Sequence, residues 1–180
     1  MVTLLGIAGS LRAASVNRAL LQAATRLTPP GASLNLFDGI GALPLFNPDI
    51  EDSAPAAVLA FRRALHDADA VVIASPEYAH GVTGVIKNAL DWVVGTAEFE
   101  RKPVALPRTA PRAEHAPAAL RETLVVMGAA VVDAASLTIP LSSNRVDDAQ
   151  ILAMPDVVAV LRDMLKTLAE AAIEARRETL

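Results

Sequence analysis

The sequence predicts an α/β fold: one domain in which a parallel β-sheet carries helices on both faces. Three observations predict it. Apolar runs of strand length alternate with segments of helical period along the chain. The first such run, Val2–Ala8, is nearly continuous, as in a strand buried on both faces. The length, 180 residues, suits one domain and allows most of the unfolded chain's surface to be buried without disulfide staples.

The elements follow in order. Residues 2–8 read as the first strand rather than a secretory leader, because no basic segment precedes the apolar run and the run ends too soon. Residues 17–27 form a helix with Leu20, Ala24 and Leu27 on one face, and Thr28-Pro29-Pro30-Gly31 stops it by removing donors and fixing φ. Residues 33–37 are a second strand. Residues 38–54, which include Gly39, Gly41, Pro44 and Pro48, are too long for an ordinary connection; a lid, a partner surface and a plain excursion all fit. Residues 55–66 are helical, with Ser53 as the expected cap. Ala70–Ala74 is a third strand. Residues 82–94 carry the clearest helical pattern, with Val82, Val85, Ile86, Ala89, Leu90 and Val93 at i, i+3, i+4, i+7 spacing. A fourth strand spans 103–106, a helix spans 117–127 with Gly128 as terminator, and a fifth strand begins over 129–133. The last helix, 156–176, has an apolar stripe through Val157, Leu161, Met164, Leu165 and Leu168. Parallel strands need crossovers, and crossover handedness places helices on both sheet faces. Ligands of such sheets bind beyond the carboxyl ends of the strands, near the switch in strand order. The loops after strands 1, 3 and 4 are therefore the candidate site.

Composition narrows the function. The net charge of −4 argues against non-specific nucleic-acid binding, which needs a basic face. No apolar stretch approaches the ~20 residues of a membrane span. The chain has no cysteine, which rules out thiolate metal sites and cysteine nucleophiles and suits a cytoplasmic setting. No metal site is expected.

The loop after strand 1 runs Gly9-Ser10-Leu11-Arg12-Ala13-Ala14-Ser15-Val16-Asn17. Gly9 permits a sharp turn. Ser10 and Ser15 supply hydroxyls, Arg12 supplies a charged fork suited to phosphate oxygens, and Asn17 can tie the loop or donate to an anion. The helix that follows directs its free N–H groups and positive dipole end, at Val16 and Asn17, to the same place. No Gly-Lys-Ser/Thr follows, so this is not a nucleoside-triphosphate loop, and it is not a G-x-G-x-x-G dinucleotide turn. The loop after strand 3 runs Ser75-Pro76-Glu77-Tyr78-Ala79-His80-Gly81-Val82-Thr83-Gly84. Pro76 stiffens the strand exit, Tyr78 is the chain's single tyrosine, and Gly81 and Gly84 allow a backbone to approach a flat ligand closely. Trp92 is expected to pack, within the chain or against a second subunit.

Together the two loops resemble the NADPH-dependent FMN reductase family and its chromate, quinone and azo-dye reductase relatives. The matching residues are Gly9-Ser10-Leu11-Arg12-x-x-Ser15-x-Asn17 and Ser75-Pro76-Glu77-Tyr78-x-x-Gly81-x-x-Gly84-x-x-Lys87-Asn88-Ala89-x-Asp91-Trp92. The resemblance covers nearly the whole chain. It implies a flavodoxin-like three-layer sandwich over residues 1–180 with sheet order 2-1-3-4-5. It implies a non-covalent FMN whose phosphate meets Ser10, Arg12, Ser15, Val16 and Asn17 and whose ring is lined by Pro76, Glu77, Tyr78 and Gly81. It also implies NADPH or NADH as co-substrate, a small-molecule electron acceptor (a quinone, azo compound, free flavin or oxidised metal ion), and a homodimer or homotetramer. The flavin does the redox work in that scheme, so no catalytic side chain is required.

One segment departs from the family pattern. Where the family has a glycine-rich loop after strand 4, this chain reads Leu106-Pro107-Arg108-Thr109-Ala110-Pro111-Arg112-Ala113-Glu114-His115-Ala116-Pro117, with no glycine. Either Arg108 or Arg112 stands near the ring or an anionic substrate, or flavin is held weakly. The alternative reading that follows is a flavin-binding module, or an electron carrier, with little reductase activity.

Overall fold

The computed structural model describes residues 1–141 and 143–178. Five strands form one all-parallel sheet in the order β2-β1-β3-β4-β5: β1 Val2–Ala8, β2 Ala32–Leu36, β3 Ala70–Ala74, β4 Pro103–Ala105 and β5 Ala130–Val131. Among the described residues, six helices cover it: α1 Val16–Thr25, α2 Ala56–His66, α3 Gly84–Asp91, α4 His115–Val126, α5 Asp148–Leu152 and α6 Pro155–Glu178. None of these helices is long and apolar enough to cross a membrane, among the described residues.

Strand residues alternate between two cores, as the pleat requires. Leu4, Val72 and Ala105 point to the layer of α1, α5 and α6, where Leu20, Ile151 and Leu165 bury. Leu5, Ile73 and Val104 point to the layer of α2, α3 and α4, where Phe61, Leu90 and Leu124 bury. Both faces of the sheet are covered, which is why β1 and β3 read as continuous apolar runs rather than alternating ones.

Several boundaries depart from expectation for local reasons. α1 begins one residue early, at Val16, because Ser15 is its N-cap and accepts the Arg18 N–H. Ser53 does not cap α2; Pro55 holds that position with no side-chain cap. Helix α3 starts at Gly84 instead of residue 82, because Tyr78 and Gly81 first close a two-residue hairpin. α4 begins at His115, with Pro117 tolerated in its first turn. The short α5 was not expected at all. It begins with a capping box in which Asp147 and Gln150 exchange side-chain and backbone bonds.

The long 38–54 stretch is neither a lid nor loose chain. It contains two 3₁₀ turns, Asp38–Ala42 and Pro48–Ile50. Asn88 and Trp92 of the α3 region fasten it: the Phe46 N–H donates to Asn88 Oδ1, and Asn88 Nδ2 and Trp92 Nε1 both donate to the Pro44 carbonyl. Phe46 also packs edge-on against Trp92, with ring centroids 5.1 Å apart. The indole is fully buried and packs within the chain. Much of the Lys87–Trp92 motif is thus scaffolding for this segment, with Lys87 and Asp91 paired one turn apart.

Candidate active site

The strand order turns back at β1, whose neighbours are β2 on one side and β3 on the other. A crevice at the carboxyl ends of β1 and β3 is the expected ligand site of such a sheet. At that end the Gly9 N–H donates to the Ala74 carbonyl, at 2.8 Å, so the two loops leave side by side. A Cβ on Gly9 would lie 2.6 Å from Ser75 Cβ and 2.9 Å from Ile86 Cγ1. Glycine is required there by packing.

The loops enclose a cleft of about 400 Å³, within the usual size of a cofactor site. Of the nine residues expected to form the site, eight line it: Ser10, Arg12, Ser15, Val16 and Asn17 on one wall, and Pro76, Glu77 and Tyr78 on the other. Gly81 is outside the lining and closes the hairpin, donating to and accepting from Tyr78. Ala79 (φ 49°) and His80 (φ 61°) form the hairpin's tip in the left-handed region, an unusual state for residues with a Cβ. Tyr78 stands 57% exposed at the rim.

The first wall is built to donate. Ser15 and Asn17 are buried polar residues. The N–H groups of Val16 and Asn17 open α1 and have no partner within the helix. The Asn17 Oδ1 accepts from Thr109 Oγ1 at 3.0 Å, which turns the amide nitrogen free for a ligand. Arg12 has no carboxylate within 4.0 Å among the described residues, whereas Arg18, Arg26 and Arg62 are all paired. The lone carboxylate among the cleft's lining residues, Glu77, already accepts the Ala116 N–H at 2.8 Å. It thereby anchors the N-terminus of α4, where a negative charge also suits the helix dipole. Free donors facing one cleft with its carboxylate committed match a dianionic phosphate ester, and the residues present fit FMN.

The loop after β4 supplies what the motifs did not. Thr109, Ala110, Arg112 and Ala113 complete the cleft, and Asn144 joins from the far side. Of the two arginines weighed from sequence, Arg112 lines the cleft and Arg108 does not. Arg108 exchanges backbone bonds with Leu137 and Ile139, which extends the sheet by one bridge. His80 stacks on His115 with ring centroids 4.2 Å apart, a second tie between this loop region and the loop after β3. Nothing in the sequence around Asn144 announces a ligand wall; the nearest signal is the Asp147–Gln150 capping box, which sets where the chain re-enters a helix.

The family model described as NADPH-dependent FMN reductase matches residues 2–143. The chain belongs to that family. It is similar to an NAD(P)H-dependent FMN reductase of Pseudomonas aeruginosa, at 41% identity over 81% of this chain and 82% of the relative. It is also similar to a 2-hydroxy-1,4-benzoquinone reductase of a Burkholderia species, at 42% identity, over 48% of this chain and about half (46%) of that relative. Among solved structures, the flavoenzyme NAD(P)H:(acceptor) oxidoreductase FerB of Paracoccus denitrificans superposes with a TM-score of 0.76 at 25% identity, over 97% of this chain and 98% of that one. This family member is therefore a flavodoxin-like oxidoreductase with FMN as cofactor and NAD(P)H as reductant.

Proposed function

We propose that this chain is an NAD(P)H-dependent reductase of quinones and related small acceptors, with FMN seated in the cleft between the β1 and β3 loops. The observation that carries the reading is the convergence of eight expected contact residues on one donor-rich cleft at the switch in strand order. When bound, FMN supplies the redox chemistry, by which NAD(P)H, a proton and a quinone become NAD(P)+ and a hydroquinone.

The chain's own residues hold and frame. Arg12, Ser10, Ser15 and the N–H groups of Val16 and Asn17 take the phosphate, since they offer donors and positive charge without a competing carboxylate. Pro76, Tyr78 and the Gly81 hairpin frame the ring. Glu77 keeps α4 and its loop against that frame through Ala116. No side chain is asked for a covalent or proton-transfer role. The similarity to the benzoquinone reductase of the Burkholderia species supports a quinone; azo compounds, free flavin and oxidised metal ions belong to the same permissive class. Cytoplasmic residence is supported by the cysteine-free composition. A homodimer or homotetramer is supported by exposed Leu45, Leu59 and Val94 on the segments covering one sheet face, and light scattering after gel filtration tests it.

Reconstitution with FMN followed by anaerobic NADPH tests the activity. Bleaching of the flavin absorbance, with colour restored by benzoquinone, is the expected result. Protein that takes up no FMN overturns the site assignment. Flavin that binds but is reduced by neither nicotinamide overturns the reductase and supports the carrier.

A further inference from the structure

Two histidines meet beside the cleft without lining it. His80 stands at the tip of the Tyr78–Gly81 hairpin, and His115 is the first residue of α4. Their rings stack, with centroids 4.2 Å apart and planes 25° from parallel. Both residues are exposed. Among the described residues, no carboxylate oxygen lies within 4.0 Å of their ring nitrogens and neither ring makes a hydrogen bond. The stack rests on ring contact alone.

The hairpin therefore has two ties to α4: the Glu77 carboxylate, which accepts the Ala116 N–H, and the imidazole stack at the tip. Tyr78 lies between them in the chain and lines the cleft. It exchanges backbone hydrogen bonds with Gly81, so it moves with the tip. Histidine is the side chain whose ordinary change of charge falls between about pH 5 and about pH 8. Two charged imidazoles in this stack repel each other. His115 also sits in the first turn of α4, where the helix dipole disfavours a cation. The charged and titratable neighbours carry both signs. Glu77 and Tyr78 come from the hairpin, Arg112 and Glu114 from the loop ahead of α4, and Arg108 from the small cavity it shares with Ala116 and Pro117. Glu77 is committed to Ala116, and both arginines add to the repulsion. Glu114 makes no ion pair with either ring, and α4 adds no acidic residue in its first turn.

We propose that His80 and His115 are positioning residues: their stack clasps the Tyr78 hairpin to α4 at neutral pH and lets go as both rings become charged, so that FMN is released faster in acid. This rests on the FMN site proposed above. A stacked ring pair corresponds to about two- to tenfold in the attachment of the hairpin.

The test follows FMN release by flavin fluorescence after dilution of FMN-loaded protein. His115 is varied, because His80 at φ 61° would strain under a bulkier side chain. His115→Phe keeps a flat ring but cannot take the second charge, and a charged His80 can still rest on that ring. From about pH 8 to about pH 5, release from wild type should accelerate about two- to tenfold more than release from His115→Phe. The two should match at the alkaline end, whereas His115→Ala, with no ring, should release FMN fast at both ends. The FMN phosphate also gains a proton near about pH 6, but it is common to all three proteins and drops out of the comparison. In FMN-free protein, denaturant unfolding of His80→Ala, His115→Ala and the double variant should show the two sites coupled at the alkaline end and uncoupled at the acid end. An equal acid response in wild type and His115→Phe overturns the proposal. So does wild-type release from His115→Ala at both ends, or an absence of coupling at the alkaline end. Failure of the FMN site shows separately, as protein that takes up no FMN at any pH while the histidine coupling persists.

Discussion

Replacing Gly9 with alanine puts a methyl group where the two site loops diverge. The new Cβ would sit 2.3 Å from Ser75 Oγ, 2.6 Å from Ser75 Cβ and 2.9 Å from Ile86 Cγ1. The hydroxyl can rotate away. The Ser75 Cβ cannot, and Ile86 is buried in α3 with 1% exposure. The strand ends must therefore part, or α3 must shift. Overpacking of this kind costs about 1–3 kcal/mol. For a chain of this size that lowers the melting temperature by roughly 3–10 °C. Thermal unfolding of the FMN-free protein, followed by circular dichroism, measures the fold alone. Gly84→Ala is the control, because its Cβ would meet nothing within 4 Å, and alanine at the start of α3 should be neutral or stabilising by a few tenths of a kcal/mol. Adding Ser75→Gly to Gly9→Ala removes two of the three clashes and should restore part of the loss, a non-additivity that independent sites would not show. Gly9→Ala protein that melts with wild type would refute the packing argument.

Arg12→Ala should weaken FMN roughly 10- to 150-fold, the equivalent of about 1.5–3 kcal/mol for a charge-assisted bond, in a flavin-fluorescence titration; unchanged affinity would remove Arg12 from the phosphate site. Ala79→Gly should stabilise the protein by about 0.5–1 kcal/mol in denaturant unfolding, since φ 49° strains a residue with a Cβ, and destabilisation would show that the methyl packs usefully. Lys102 donates to the carbonyls of Leu65 and Ala68 at the end of α2, so Lys102→Met should cost about 1.5–3 kcal/mol near neutral pH. Burial holds the Lys102 pKa below its ordinary 10.5, against the raising influence of Asp69, Glu98 and Asp67. The folded state then sheds this proton before the unfolded chain does, and the lysine's contribution is fully present only above 10.5. The stability difference between wild type and Lys102→Met should therefore grow as pH rises through the lowered value towards 10.5; a difference that shrinks over that window refutes the assignment.

Much of the fold was legible in the chain itself, because covered sheets and amphipathic helices write their burial directly into local pattern. Val2–Ala8 and Ala70–Ala74 were placed to the residue, as each is buried on both faces and can hold few polar groups. The edge strand was harder: Ala130–Val131 is two residues long, exposed or half-buried, and leaves almost no pattern. The clustering of one cleft wall was equally legible, since Arg12, Ser15 and Asn17 lie within a few consecutive residues of Gly9 and one helix N-terminus gathers them. What local pattern could not supply were pairings between residues far apart in the chain. Thr109 on Asn17, Glu77 on Ala116 and Asn88 on Phe46 span separations of 92, 39 and 42 residues. Such bonds depend on where the crossovers deliver each loop, and a polar residue in a loop reads the same whether it meets water, a ligand or a distant backbone. Arg108 and Arg112 show the difference most plainly. They are alike in the sequence, yet the sheet's extra bridge to Thr138 takes Arg108 out of the cleft and leaves Arg112 at its mouth.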